Sequence, residues 1–577
     1  MAYLKLKTIK SKKYYYAVEC KRINGKPRTV NQIYLGTVEQ LLTLKQKADT
    51  PQKPQEVAVL EFGIVAACYG IAQKLNIVQL IDHLIPKRKQ GLSVGEYLLI
   101  AAISRAVKDI SKRACWAWVQ QTCLPRLMNY QLRKHDLSSQ RFWDHMDKVP
   151  VSLIAEMEKA ISQRVIELYG LDLHFLIYDT TNFYTYIDTF NDRSQLAQRG
   201  KNKQKRYDLR QVNLALAVTR DFHIPLFHKL YEGNRPDSTS FTGIIDQLVG
   251  RYKLLSRYCK DITIIYDKGN NSEKNQKKVD TSPYHYVGSL KLNEFPELTS
   301  LDTASPKFKP LAEKRLEGVR AYRLSESILG EERTVVVTFS QSFYDKQIRT
   351  LQRVVAKCDQ QLAQLQKKLQ KRLDAKAAGK SVRGTPLTYE SVVRQVRTIL
   401  NPQYMKRLFD VTISQQDDLV RLSYTFNASE FSDIERTRLG KTILFTDQET
   451  WTTEEIILAY RGQYRIEAAF KITKRRHFIA WQPNFHWTDQ KLHVHAFYCI
   501  LSLMFISLAY RQVRQAGIDI GLPTLEKELE AIKEVITLQL PASGRLQKAK
   551  FYRTLTKKTP EQETIYRALE LESVAPN

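Results

Sequence analysis

The chain lacks the features that would mark a secreted protein or a zinc-finger protein. Its seven cysteines are scattered over 577 residues, with no Cys-x-x-Cys pair and no Cys/His ligand spacing. We therefore expect neither a zinc site nor a disulfide framework. The N-terminus has no apolar signal-peptide core, and the most apolar stretch, 496–510, is short for a membrane span. These features predict a soluble, cytoplasmic protein without a membrane partner, in which 496–510 is a buried helix.

Acidic residues are also in deficit. Lysine and arginine number 90 against 60 aspartates and glutamates, which gives a formal net charge of +30. A basic excess of this size favours a polyanionic partner, because each neutralised phosphate releases counterions. Hydrophobic residues make up 43% of the chain, which excludes a disordered protein. The length predicts roughly three or four domains.

Hydrophobic periodicity and turn signals divide the chain into six segments. The first is rich in strands and contains an Asn24-Gly25 hairpin signal. Two segments of α/β character are separated by an insertion, since about 200 residues between two acidic motifs are too many for a loop. The predicted segments are a β-hairpin region (1–50), a helical DNA-binding or assembly domain (51–168), the first part of an α/β core (169–290), an insertion with strands and a long helix (291–439), the second part of the core (440–515) and a helical, basic C-terminal tail (516–577).

The insertion contains a heptad pattern. Its apolar positions step by four and three residues over nearly three heptads. A helix packed within the chain and a contact between two chains would both explain the pattern, and we favour packing within the chain because three heptads are marginal alone. The positions are Leu351, Val355, Cys358, Leu362, Leu365 and Leu369.

Three acidic residues stand where strands and a helix could bring them together. Asp179 ends an apolar run over 173–178, Asp267 ends a second run over 262–266, and Glu467 lies in a polar helix. Carboxylates that converge in this way suit a pair of hard divalent cations. In so basic a chain, the natural substrate of such a site is a nucleic acid phosphodiester. The plainer alternative is that each aspartate only closes a strand and starts a turn.

The helix around Glu467 has a marked start and one polar stripe. Thr452 and Glu455 form a capping-box pattern. Further along, four residues repeat at helical spacing, and a solvated face with a routine Glu–Lys pair is the alternative interpretation of them. The stripe consists of Tyr460, Gln463, Glu467 and Lys474, joined by Lys471.

These motifs resemble the DDE transposases of bacterial insertion sequences, in the insertion-sequence-four superfamily. The resemblance is carried by "YDTTNFY" at Asp179, "IIYDKGNNS" at Asp267 and "YRGQYRIEAAFKITK" at Glu467, and it covers roughly 170–510. That group has a Tyr-x2-Arg-x3-Glu-x6-Lys signature, and here Gln463 stands in place of the arginine. A charged phosphate contact is therefore lost or displaced at this position.

The resemblance implies an α/β ribonuclease H-like catalytic core interrupted by a large insertion. It implies that Asp179, Asp267 and Glu467 hold two Mg²⁺ ions, with Mn²⁺ as a substitute. Hydrolysis at terminal inverted repeats would be followed by transfer of the 3′-hydroxyl ends into target DNA. Double-stranded DNA is the expected partner, and a homodimer on paired ends is the expected working form, located on the nucleoid.

Two basic clusters are predicted to contact DNA phosphates. One follows the first acidic strand, and the other flanks Glu467. A solvated loop is the alternative for the first cluster. A catalytically inactive DNA-binding relic and a nuclease of the same fold remain rival functions, whereas a coiled-coil scaffold would leave the aspartates unexplained. The predicted DNA contacts are Lys203, Lys205, Arg206, Tyr460, Lys471, Lys474 and Arg475.

Overall fold

The computed structural model describes most of the chain. Its described residues are 2–23, 26–49, 56–86, 91–128, 130–380, 387–416, 419–474, 479, 481, 482, 484–539 and 550–576. The predicted Asn24-Gly25 turn and the predicted DNA contact Arg475 lie outside these residues.

The N-terminus forms a three-stranded antiparallel sheet followed by a helix. Strand residues here are rich in tyrosine and β-branched side chains, which suit a pleated surface. The strand-rich prediction for this region is confirmed, with a third strand and a helix beyond the predicted hairpin. The elements are β1 (Ala2–Ile9), β2 (Lys12–Ile23), β3 (Lys26–Gly36) and α1 (Val38–Asp49).

The following segment is mainly helical, as predicted, and begins with one strand. Its helices bury nearly all of their apolar residues in a single large core. Ser93 and Glu96 cap the fourth helix reciprocally, which fixes where that helix starts. The elements are β4 (Glu56–Glu61), α2 (Gly63–Lys74), α3 (Ile77–Leu84), α4 (Val94–Val107), α5 (Cys115–Val119), α6 (Leu124–Leu127), α7 (Ser139–Asp147) and α8 (Val151–Tyr169).

A nine-stranded mixed sheet forms the centre of the protein, in the order β10-β11-β12-β15-β9-β8-β5-β6-β7. The two apolar runs that precede Asp179 and Asp267 lie in it, as β5 and β8. The elements up to the insertion are β5 (Phe175–Tyr184), β6 (Gln211–Thr219), β7 (Pro225–Glu232), α9 (Asp237–Leu255), β8 (Thr263–Tyr266), α10 (Glu273–Asp280), β9 (His285–Ser289), α11 (Pro296–Thr299), β10 (Lys309–Pro310), β11 (Val319–Ile328) and β12 (Glu331–Ser340).

The directions of five neighbouring strands, β7-β6-β5-β8-β9, position the site. Strand β5 pairs antiparallel with β6, which pairs antiparallel with β7. On its other side β5 pairs parallel with β8, which pairs parallel with β9. Ile177 faces the core that contains α2, α4 and α18, whereas Tyr178 faces the core that contains α9. Both faces of the sheet are therefore covered.

The predicted insertion, 291–439, divides in the structure. Strands β10–β12 join the central sheet, and only the part after them has a core of its own. Five of the six heptad residues are buried there, and α12 packs against α13 and β14, so the preference for packing within the chain is confirmed. The elements are α12 (Gln341–Ala377), α13 (Tyr389–Ile399), α14 (Met405–Leu408), β13 (Phe409–Gln416), β14 (Leu419–Phe426) and α15 (Ala428–Arg438).

The chain then returns to the sheet and to the large core. Thr452 and Glu455 form the predicted capping box at the start of α16. The predicted buried helix extends beyond 496–510 at both ends. Its length and hydropathy would suffice to cross a membrane, and 94% of its most apolar window is buried inside the protein. The bent pair α2–α3 passes the same test only if it is counted as one span. The elements are β15 (Lys441–Thr446), α16 (Thr453–Arg461), α17 (Tyr464–Thr473) and α18 (Asp489–Gln515).

The C-terminal segment, 516–577, is not all helical, and this part of the prediction is wrong. Two strands pair there, and β16 also pairs antiparallel with β4. The β-branched run Val535–Thr537 favours a strand over a helix, and its partner β4 lies far away in the sequence. The elements are α19 (Leu522–Ala531), β16 (Lys533–Gln539), β17 (Lys550–Leu555) and α20 (Pro560–Ala568).

Candidate active site

The register of β5 and β8 places Asp179 and Asp267 side by side. The last parallel pair joins Ile177 to Ile265, and each aspartate lies two residues beyond its member of that pair. Neighbouring strands are about 4.8 Å apart, and residues two apart on a strand share a face. Both carboxylates are therefore directed to the same side of the sheet, where β8 has ended.

The sequence predicted that Asp179 ends its strand, but in the structure the strand continues past it. Strand β5 continues to Tyr184, because its pairing with β6 extends over Leu176–Tyr184 even after β8 has ended. The aspartate consequently lies mid-strand on a rigid, half-buried backbone. Its Oδ1 accepts a hydrogen bond from the Thr180 backbone N–H at 2.7 Å.

Neighbouring charges and burial act on the Asp179 carboxyl together. Burial, with smaller contributions from the carboxylates of Asp267 and Asp237, raises the pKa of Asp179 to about 6. The Lys203 ammonium and the Thr180 N–H act in the opposite direction. The negative charge of the ionised Asp179 carboxylate is therefore not fully offset by its neighbours, and a bound cation would stabilise it.

Asp267 is held by two hydroxyls that the sequence analysis did not assign to this role. The Ser289 hydroxyl at the end of β9 donates to Asp267 Oδ1 at 3.0 Å. The Tyr460 hydroxyl lies 2.8 Å from Ser289 Oγ and 3.2 Å from Asp267 Oδ1. Burial and the nearby carboxylate raise the pKa of Tyr460, so this hydroxyl keeps its hydrogen. Tyr460, predicted to contact DNA, therefore orients Asp267 in this structure.

Asp237 is a third carboxylate near Asp179 that the sequence analysis missed. It opens α9 and accepts a hydrogen bond from the Tyr231 hydroxyl at 2.5 Å. Nothing in the spacing of the surrounding sequence, "YEGNRPDSTSF", indicates that this aspartate acts on Asp179. A Pro-Asp pair before a helix was the available signal, and it is equally typical of an ordinary helix start.

Two of the predicted basic residues lie beside Asp179. Lys474 hydrogen-bonds to Thr181 on β5, with its Nζ 5.5 Å from the centre of the Phe183 ring. Burial and Lys203 lower the pKa of Lys474 to about 8, against the effect of Asp179. The Lys203 ammonium donates to the Thr180 carbonyl at 2.8 Å. The pair places positive charge along the edge of the carboxylate site.

The other predicted DNA contacts lie further from the aspartates or are paired. Arg206 forms an ion pair with Asp208 at 2.8 Å and lies over the Tyr184 ring. Lys205 is exposed in a loop, with a backbone φ of 61°. Lys471 is exposed on α17.

Glu467 does not join the two aspartates in this structure. It is exposed in the first turn of α17 and lines a cavity of about 320 Å³ that Tyr460 also lines. Within the part of the chain that the structure describes, no three His, Cys, Asp or Glu side chains are grouped to hold a metal ion. Asp179 and Asp267 are thus brought together, while the metal role of Glu467 stays a prediction.

The predicted stripe over Tyr460–Lys474 is carried by two helices instead of one, and Tyr460, Gln463 and Glu467 line one cavity. Helix α16 ends at Arg461 and α17 begins at Tyr464. Between them the backbone forms i→i+3 hydrogen bonds, from Gln463 N to Tyr460 O and from Ile466 N to Gln463 O. Such turns contain about three residues instead of 3.6, which changes the direction of every later side chain.

The aspartates are chemically suited to a hard divalent cation, although a complete site is not formed. Carboxylate oxygens are the ligands that Mg²⁺ prefers, and two are adjacent here at a half-buried position. The raised pKa of Asp179 fits a group that a bound cation would stabilise in its ionised form. Oxygen donors from two strands fit Mg²⁺ in part, and a further ligand has to come from elsewhere.

The comparisons with known proteins give structural similarity at a distant level. No protein-family model and no curated protein matches the chain, so the Tyr-Arg-Glu-Lys resemblance gains no support from sequence. Among solved structures, the chain is similar to a cryo-EM structure of piggyBac transposase in a synaptic complex with hairpin DNA. The TM-score is 0.35 at 8% identity, over 81% of this chain and 78% of that chain. A similarity of this size leaves the function to be argued from the site.

Proposed function

We propose that this protein is a metal-dependent DNA transposase with a ribonuclease H-like core. The observation that carries the proposal is the placement of Asp179 and Asp267, each two residues beyond Ile177 and Ile265, the last parallel pair of β5 and β8. The directions and order of β7-β6-β5-β8-β9 support the same core, since they form a three-stranded antiparallel unit extended by two parallel strands.

The two aspartates would hold the metal, with Mg²⁺ as the proposed ion and Mn²⁺ as a substitute. Bound divalent ions in such sites activate an attacking oxygen and stabilise a departing one. The residues of the chain supply the rest of the environment. Ser289 and Tyr460 fix the Asp267 carboxylate, and β6 fixes the backbone of Asp179. Glu467 is the proposed third ligand, and it would reach the pair only after the α16–α17 segment rearranges.

Basic side chains around the aspartates support a phosphodiester substrate. Lys203 and Lys474 lie beside Asp179. A cavity of about 630 Å³ extends from Ser289 and Tyr460 to the insertion, and its described lining includes Lys268, Lys346 and Arg438 but no acidic residue. These charges would neutralise DNA phosphates, which gives affinity without sequence choice.

The proposed reaction is hydrolysis at the terminal inverted repeats, followed by attack of the freed 3′-hydroxyl ends on target DNA. Two DNA ends need two sites, and we therefore propose a homodimer on paired ends. The proposed location is the cytoplasm, on the nucleoid.

The exposed position of Glu467 favours a second candidate function, that of a catalytically inactive DNA-binding relic, which binds DNA but no longer cuts it. In that case the basic surface and the fold remain, but a complete set of metal ligands does not form.

The test is an incubation of the protein with Mg²⁺ and labelled duplexes taken from the DNA that flanks its coding sequence. Asp267→Asn is the matched control, because it removes one charge and keeps the shape of the side chain. A nick at the element boundary together with joined product, both absent in the control, would support the transposase. A nick without joined product would favour a nuclease, and binding without any cut would favour the relic.

A further inference from the structure

The N-terminal sheet, formed by β1–β3, is strongly basic. A single acidic residue, Glu19, lies 3.9 Å from Lys21 and neutralises little of the charge. A surface of this composition repels a copy of itself and attracts a polyanion. The basic residues of 2–36 are Lys5, Lys7, Lys10, Lys12, Lys13, Lys21, Arg22, Lys26 and Arg28.

The pairing register sorts the side chains of this sheet onto two faces, because directly opposed residues share a face. One face carries tyrosines: Tyr14 and Tyr16 contact Tyr34, and the Lys7 ammonium lies over the Tyr16 ring. Val18 on this face is only 1% exposed. We call it the tyrosine face; its rings contact one another, and Tyr3 and Tyr34 on it are 49% and 54% exposed.

The opposite face, which we call the open face, carries Leu4, Lys13, Glu19, Lys21, Arg28, Asn31 and Ile33. Leu4 is 63% exposed and Ile33 is 55% exposed. The two stand in one row across the sheet, since both are aligned with Ala17. Lysine and arginine flank this apolar row at both ends of the strands. The open face therefore combines exposed apolar groups and an amide with three cations and one carboxylate, that of Glu19, which lies 3.9 Å from Lys21.

This combination matches the edges of base pairs in duplex DNA. Cationic side chains pair with guanine and with phosphates, asparagine pairs with adenine, and apolar groups contact the thymine methyl. The outer strands of a three-stranded sheet are about 10 Å apart, which is close to the roughly 12 Å width of the major groove. Sheets are known to enter DNA grooves in this way.

We propose that the open face of β1–β3 binds the major groove of duplex DNA at the ends of the element. The inference rests on the proposed function and adds the surface that chooses the DNA sequence. A second copy of this chain is a weaker occupant, because two such faces would oppose Lys13, Lys21 and Arg28 with their own copies.

The experiment compares two double substitutions in the full-length protein. Lys13→Gln with Arg28→Gln changes the open face, and Lys5→Gln with Lys12→Gln removes the same charge from the tyrosine face. Affinity for the flanking duplexes and for shuffled duplexes is measured by fluorescence anisotropy over a range of salt. We expect the open-face pair to reduce the salt slope by about two units, and the control pair to change it by less than one.

Ile33→Ser tests base contact separately from charge. It should leave the salt slope unchanged and lower the preference for the flanking duplex over the shuffled one by roughly tenfold. If circular dichroism shows that the open-face pair disturbs folding, Lys21→Gln replaces it, with an expected change of about one unit in slope.

Equal effects of the two double substitutions would overturn the inference. So would unchanged DNA binding with a loss of dimer by light scattering, which would assign the open face to a second copy. Cleavage is measured in parallel. If DNA binding depends on the open face but neither the unsubstituted protein nor any variant cleaves DNA, only the proposed function is overturned. If the protein cleaves DNA but its DNA binding does not depend on the open face, only this inference is overturned.

Discussion

The two strand-borne aspartates and the helix-borne glutamate differ in how their positions are fixed. Asp179 and Asp267 stand on paired strands, and hydrogen bonds to neighbouring groups hold both carboxylates. Glu467 is exposed on the ten-residue helix α17, which follows the turn that ends α16. Strand register transmits position through many backbone hydrogen bonds, whereas the direction of a helix side chain depends on every turn before it. The strand pair is therefore preformed, and the glutamate is free to move.

The largest expected effect separates these two regions directly. Asp267→Asn should lower the rate of DNA cleavage at least about a thousandfold, because a lost metal ligand costs several kcal/mol of transition-state stabilisation. Glu467→Gln should do the same if the glutamate moves to the metal during the reaction. Single-turnover cleavage with Mg²⁺ measures both rates.

Binding of the metal without DNA makes this comparison sharper. Mn²⁺ titration should show weakened binding for Asp267→Asn and little change for Glu467→Gln, since only the first residue is in place before DNA binds. An equal loss of Mn²⁺ affinity in both variants would contradict a preformed pair with a mobile glutamate.

A smaller effect is expected from the hydroxyls around Asp267. Ser289→Ala removes the donor to Asp267 Oδ1, and supporting hydrogen bonds of this kind are typically worth 10–100-fold in metal affinity or activity. Tyr460→Phe should cost less, because Ser289 remains. Mg²⁺ dependence of cleavage is the measurement. The exposed Ser342→Ala is the matched control, and an identical Mg²⁺ midpoint in Ser289→Ala would remove this residue from the site.

The same contrast explains what could be predicted from the sequence. Both aspartates, the strands that carry them and the capping box of α16 were identified, because apolar runs and cap residues are local signals. Ser289 and Asp237 were not, because their roles depend on contacts with residues far away in the chain. The stripe through Glu467 was predicted for one continuous helix, and the division into α16 and α17 was missed because the turn at Gly462 is not visible as a change in hydrophobic pattern.

Lys474 and Lys471 extend the comparison to the DNA contacts. Lys474 is bonded to β5 beside Asp179, whereas Lys471 is exposed one turn earlier on α17. Lys474→Ala should reduce the salt slope of end binding by about one unit, and Lys471→Ala should change it by less. Binding is measured by anisotropy over a range of salt. Identical slopes for the two variants would show that Lys474, although bonded to β5, contributes no more to phosphate binding than the exposed Lys471.

The smallest expected effect concerns the buried groups behind β5 that hold the chain after α17. Trp481 stacks on Phe183, and His495 bonds to the Trp481 carbonyl at 2.8 Å. Lys112 joins this group through His486 and Tyr498, each 3.3 Å from its Nζ. Burial lowers the pKa of Lys112 to about 7.

An unfolded lysine has a pKa of about 10.4, so between pH 7 and that value the unfolded chain keeps a proton that the folded protein releases. Stability should therefore rise with pH across this window. Lys112→Met should flatten the rise, with a change in melting temperature on the order of 1 °C. The exposed Lys108→Met is the control, and thermal unfolding followed by circular dichroism is the measurement. A rise that persists in Lys112→Met would mean that the segment after α17 is held by packing of Trp481 alone.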